Sequence, residues 1–135
     1  MKITNYKLSD CRQVWRIANE SKEINQVFRL DKAGQKKNIL VKAVVEDGGK
    51  LKLHGLVHIG KKATGAEAFL SYQVLLLGHK AEAEVIPNLE IENNEVKAGH
   101  AVTISQLSKD QLFYLESKGF SAKEASKILV EAFLK

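Results

Sequence analysis

The chain has 135 residues, of which 44% are hydrophobic and 27% charged, the composition of one globular domain, which excludes a disordered tail or a coiled-coil rod. Its longest apolar run is Val74-Leu75-Leu76-Leu77 and charges are scattered through residues 1–20, so neither a membrane span of about 20 residues nor a signal segment is expected, and a cytoplasmic protein is predicted. Twenty-one Lys and Arg against sixteen Asp and Glu leave a formal +5, with only the doublets Lys36-Lys37 and Lys61-Lys62 contiguous. That pattern lacks the clustered cations and interleaved aromatics of a nucleic-acid groove, and the single Cys11 rules out an intrachain disulfide or a thiolate metal site built by this chain alone.

In chain order, Ile39, Val41, Ala43 and Val45 alternate with Leu40, Lys42 and Val44, the period of a strand, and Glu46-Asp47-Gly48-Gly49-Lys50 predicts a turn after it. In the next run Leu51, Leu53, Val57 and Ile59 share one face, and Lys52, His54, Leu56 and His58 the other, with Gly55 inside it. The stretch 69–77 is apolar on both faces towards its end, which predicts a strand covered on both sides. Shorter strands are predicted at 83–86, 89–91, 95–97 and 101–104. With no helical pattern of about ten or more residues between them, an α/β doubly wound sheet is excluded. A sandwich of hairpins and a solenoid of short strands both fit, and no strict repeat decides between them.

The composition turns helix-favouring near residue 106, which divides the chain into 1–105 and 106–135. Ser108-Lys109-Asp110-Gln111 reads as a capping box flanked by Leu107 and Leu112, and Gly119 as the stop of that helix. Ser121-Ala122-Lys123-Glu124 opens a second helix, whose Ala125, Ile128, Leu129, Ala132 and Phe133 form one apolar face. From the residues alone, this pair either covers the end of a β structure or docks a partner.

The order of motifs from residue 79 onward carries a resemblance. Pro87-Asn88-Leu89-Glu90-Ile91, then Val96-Lys97-Ala98-Gly99-His100-Ala101-Val102-Thr103, then Asp110-Gln111-Leu112-Phe113-Tyr114-Leu115 with Ser117-Lys118-Gly119 closely resembles the C-terminal part of the SufB/SufD family, the scaffold proteins of iron–sulfur cluster assembly. The resemblance implies a mainly β fold, a right-handed parallel β-helix (β-solenoid) with a C-terminal two-helix hairpin. It also implies a non-catalytic scaffold or accessory subunit that docks a SufC-like ABC-type ATPase through its C-terminal helices, where Gln111, Phe113, Tyr114, Lys118 and Glu124 are the candidate contacts. A SufB/SufD-like partner or a second copy would pair through the β-helix. Nucleic acid and membrane are not expected partners.

The sequence also departs from the family pattern. The cysteine two positions before the SufD histidine is here Ala98, and the acidic neighbours of the SufB histidine are Gly99 and Ala101, so of the cluster-associated groups only His100 is kept and the chain is more SufD-like. His100 is therefore the candidate metal- or cluster-associated residue. Its alternative is an ordinary satisfied histidine at a strand end. One imidazole cannot hold a cluster, so no cofactor bound by this chain alone is expected, only a transient Fe–S cluster at an interface. The alternative function is a self-assembling β-solenoid interaction module that has lost cluster chemistry. His54 and His58 stand about 13 Å apart along one strand at about 3.3 Å per residue, too far for a shared metal, and read as surface residues. Cys11 has no adjacent His or Cys-x-x-Cys partner and reads as an incidental thiol. No catalytic residue is assigned, since no nucleophile–base pair or phosphate-binding loop is present.

Overall fold

The computed structural model describes residues 2–7 and 10–135, with side chains from Cys11 onward. Strands β1 (Lys2–Lys7), β2 (Asp10–Ile17), β3 (Ser21–Leu30), β4 (Lys36–Val45), β5 (Lys50–Ile59), β6 (Glu67–Leu76), β7 (Glu82–Ile91) and β8 (Lys97–Gln106) precede helices α1 (Lys109–Ser117) and α2 (Ala122–Leu134). The strands form two sheets, ordered β1-β2-β4-β6-β8 and β3-β5-β7. Every neighbouring pair is parallel except β1 with β2. Successive strands from β2 on thus alternate between sheets, and each turn of the chain adds one strand to each. This is a parallel β-solenoid of about three turns, and the parallel ladders exclude the sandwich of hairpins.

Ser21 pairs with Lys50 and Lys50 with Glu82, intervals of 29 and 32 residues, while Lys36, Glu67 and Lys97 follow at 31 and 30. Because corner turns of unequal length absorb the difference, a regular ladder arises from a sequence without a strict repeat. In place of the four short strands expected between 83 and 104 there are two of ten residues each, β7 and β8, and Glu95 and Val96 of the expected strand 95–97 fall in the turn before β8. Pro87 and Gly99 made them look broken. Pro87 sits in an edge strand, where a missing N–H is tolerated, and Gly99 lies beneath the ring of Phe69, 3.3 Å from where a Cβ would be.

Inward-facing rows stack between the sheets as a core that includes Ile39, Leu70, Val41, Val74, Leu53, Val57 and Ile59, all at most 2% exposed. Full burial of each such side chain contributes about 1.5–3 kcal/mol. The corners interlock as well. Gly78 has φ +104°, and a Cβ there would fall 2.6 Å from Asp47 Oδ1, the same oxygen that accepts from the Lys80 N–H at 2.9 Å.

The helices do not cover the end of the solenoid. Helix α2 lies on the outer face of the five-stranded sheet, where Val130 packs with Val44 and Leu75, flanked by Leu77, Leu107, Phe133 and Leu134. This explains why 69–77 is apolar on both faces. Most of the expected apolar face of α2 is turned to the sheet: Ala125 is buried and Ile128, Leu129 and Phe133 are half-buried, while Ala132 is exposed and Val130, outside that set, is buried. Both serines cap their helices, but the reciprocal box expected at Ser108 is only half formed. Ser108 Oγ accepts from Gln111 N at 3.2 Å, while the full reciprocal box forms only at Ser121 and Glu124. Helix α1 buries none of its residues.

Candidate functional site

Three features carry chemistry: the last rung, the outward side of the hairpin, and a polar cluster inside the solenoid. β7 and β8 end their sheets among the described residues, so each leaves one backbone edge unpaired. Inward-row positions that earlier rungs bury are open here, and Ile91, Val102 and Ile104 are exposed. His100 belongs to this row. It is in register with the buried Leu70 of β6, which is in register with Ile39 and, beyond it, Cys11. In-register residues of a parallel ladder point the same way, so His100 faces the interior at the open end of this column and is itself exposed. Cys11 is three strand spacings away, about 14 Å at about 4.8 Å each, so thiol and imidazole of one chain do not meet. Among the described residues no group of three or more His, Cys, Asp or Glu converges as metal ligands.

The sequence-predicted docking residues separate into two kinds. Phe113 and Tyr114 on α1 are 74% and 60% exposed, an unusual placement for adjacent aromatics on a helix. Lys118 places its ammonium 5.5 Å from the Tyr114 ring centre, a cation–π pair at the C-terminal end of α1. Gln111 and Glu124 are exposed too, but each serves a helix start: Gln111 through its backbone N–H to Ser108, Glu124 through its carboxylate to the Ser121 N–H.

The polar cluster was not anticipated. Tyr72, fully buried, donates its hydroxyl to Gln26 Oε1 across the solenoid at 3.2 Å. Gln26 Nε2 donates in turn to Gln13 Oε1, which also accepts from Trp15 Nε1 at 3.3 Å. Room for the hydroxyl comes from Gly55, where a Cβ would lie 1.9 Å from Tyr72 Oη. Burial pushes the Tyr72 phenol up to a pKa of about 12. Gly55 inside a strand pattern was the only signal in the sequence, a mark of close approach that does not say to what.

Two cations tie the hairpin to the barrel wall. Lys42 Nζ donates to the carbonyls of Phe133 (2.6 Å) and Lys135 (2.8 Å), and Arg12 Nη2 to that of Leu134. They satisfy carbonyls at the negative end of α2. Burial, and after it the charge of Arg12, hold the Lys42 ammonium below its ordinary pKa of 10.5. His54 and His58 are not free surface residues: their Nε2 atoms sit 3.1 Å from Glu84 Oε2 and 3.2 Å from Glu92 Oε2. His79 is exposed.

Fold and site together define an open-ended parallel β-solenoid with a helical hairpin bound to its flank. Residues 15–133 match the family model described as SUF system FeS cluster assembly, SufBD core domain. The chain belongs to that SufBD family. It is 36% identical over 96 residues to an iron-sulfur cluster assembly SufBD family protein of Staphylococcus saprophyticus and to the iron-sulfur cluster assembly protein SufB of Bacillus subtilis. A SufBD family protein of Staphylococcus aureus is 35% identical over the same length. Each alignment covers 71% of this chain and 21% of the relative, so the chain spans about a fifth of the length of these relatives. No helix among the described residues is long and apolar enough to cross a membrane.

Proposed function

We propose that the chain is a non-catalytic scaffold subunit of iron–sulfur cluster assembly in the cytoplasm. It pairs with a SufB/SufD-type subunit through its last rung and presents its hairpin to a SufC-like ABC-type ATPase. The observation that carries the reading is the unpaired last rung, in which the one family-type histidine, His100, stands exposed in the inward row at the open end of the interior column. Completing that rung with a second chain buries the exposed Val102 and Ile104 and supplies the further ligands that a lone imidazole lacks. The nascent cluster is then cargo held at the seam between two chains.

The exposed Phe113, Tyr114 and Lys118 support the ATPase contact, since exposed aromatics beside a cation are the usual anchors of a protein interface. Co-purification with a SufC-like ATPase under native conditions is expected. Replacing both aromatics (Phe113→Ser, Tyr114→Ser) is expected to weaken binding by about tenfold or more with the far-ultraviolet circular dichroism unchanged. A chain that binds no such ATPase, or a doubly substituted one that binds equally well, refutes this docking surface.

A further inference from the structure

The edge of β7 has a charge pattern of its own. Ala83, Val85 and Leu89 pack towards the core, so the alternate residues Glu82, Glu84, Ile86, Asn88 and Glu90 form the outward row, with Glu92 just past its end. No Lys or Arg lies on the strand. Glu82 pairs with Lys50 (3.6 Å), Glu84 with His54 (3.1 Å) and Glu92 with His58 (3.2 Å), all from β5 on the inner side. The carboxylates nonetheless keep 67%, 54% and 41% of their side chains exposed.

We propose that this acidic row selects the partner at the last rung. It rejects a second copy of β7 and accepts an edge strand with Lys or Arg at alternate outward positions, so the completing chain is a different one. The proposal rests on the last rung being the seam. A two-fold axis that joins like sheets end to end sets β7 antiparallel to its copy. Centred on Pro87, Glu84 then faces Glu90 of the copy and Glu82 faces Glu92. Sliding the register by two residues either way still leaves Glu82 opposite Glu90 or Glu84 opposite Glu92, and symmetry doubles each contact. Like charges directly opposite across a strand pair are destabilising. Laying β7 on the copy's β8 instead answers little of this charge, because Lys97 is the only charged residue in that strand. A strand with two or three outward cations answers all of it.

The test is sedimentation velocity on three samples of the full chain: the natural sequence, a variant with Glu82, Glu84, Glu90 and Glu92 all changed to Gln, and an equimolar mixture of the natural sequence with the corresponding four-Lys variant. Circular dichroism checks the fold of each. The natural chain is expected to stay monomeric. The Gln variant should self-associate, and the mixture should form heterodimers about tenfold or more tighter than either component alone, weakening with salt. If the natural chain dimerises as tightly as the Gln variant, the selection is wrong while the seam stands. If neither the Gln variant nor the mixture associates, the last rung is not a docking seam, and the proposal falls with it.

Discussion

Alanine at position 55 should disrupt the interior of the solenoid more than any surface change of similar size. Its Cβ would lie 1.9 Å from Tyr72 Oη, 2.9 Å from Cζ and 3.1 Å from Cε2, where ordinary contact begins at 3.4 Å. The hydroxyl must retreat by about 1.5 Å to reach that contact distance, which breaks its 3.2 Å bond to Gln26. Overpacking costs about 1–3 kcal/mol and an unsatisfied buried hydroxyl about 1–3 kcal/mol. The intrinsic gain of replacing a strand glycine returns about 0.5–1 kcal/mol. A net loss of about 1–5 kcal/mol is expected, a large share of a domain stability of about 5–15 kcal/mol. Tyr72→Phe alone should cost about 1–2 kcal/mol through the lost hydrogen bond. The double variant should cost less than the sum, because the phenylalanine removes the closest atom, and a coupling of about 1 kcal/mol or more is expected. Urea unfolding followed by the fluorescence of Trp15, the only tryptophan and a member of the same cluster, gives all four corners of the cycle. Additive losses, or a Gly55→Ala cost under about 0.5 kcal/mol, would refute the clash.

Tyr72 also predicts an alkaline limit. Its pKa is raised from 10.0 to about 12, so the native state holds the phenolic proton more tightly than the unfolded chain. The contribution is therefore complete below pH 10 and is lost as pH climbs towards 12, about 2–3 kcal/mol in all; Tyr72→Phe should flatten the stability curve in that window, and an unchanged slope would contradict it. Lys42→Met keeps the aliphatic stem but removes both carbonyl contacts to the end of α2, with an expected loss of about 1–3 kcal/mol and faster proteolysis at the hairpin; equal protection would mean that apolar packing alone holds the helix. His100→Ala should leave the urea midpoint within about 0.5 kcal/mol equivalent, since the side chain is exposed, while iron retained by the reconstituted two-chain complex falls. Unchanged iron content in that complex would remove the ligand role.

Much of this structure was written locally. Alternation at 39–45 and 51–59, the doubly apolar end of 69–77, and the serine caps at 108 and 121 each act within a few residues. Period and hydrogen-bonding geometry alone make them readable. The motif order around Pro87, His100 and Gln111 brought the family into view, and with it the parallel solenoid that alternation could not separate from a sandwich. Strands β7 and β8 were harder. Pro87 and Gly99 are breakers in the abstract, and they are tolerated here because one sits at an unpaired edge and the other beneath a ring, facts that belong to neighbours about 30 residues away.

What the sequence by itself determined, then, was the local grammar of strands and helices, the lack of a disulfide within the chain, and the family through its motifs. Only the tertiary structure decided that α2 lies along a sheet face instead of over the end, that Tyr72 crosses the interior to Gln26 above Gly55, and that His100 shares a column with Cys11 yet never approaches it. The physical reason is the stacking itself. Each rung sets side by side residues far apart in the chain, at intervals that vary with corner length, and no local pattern records which of them will touch.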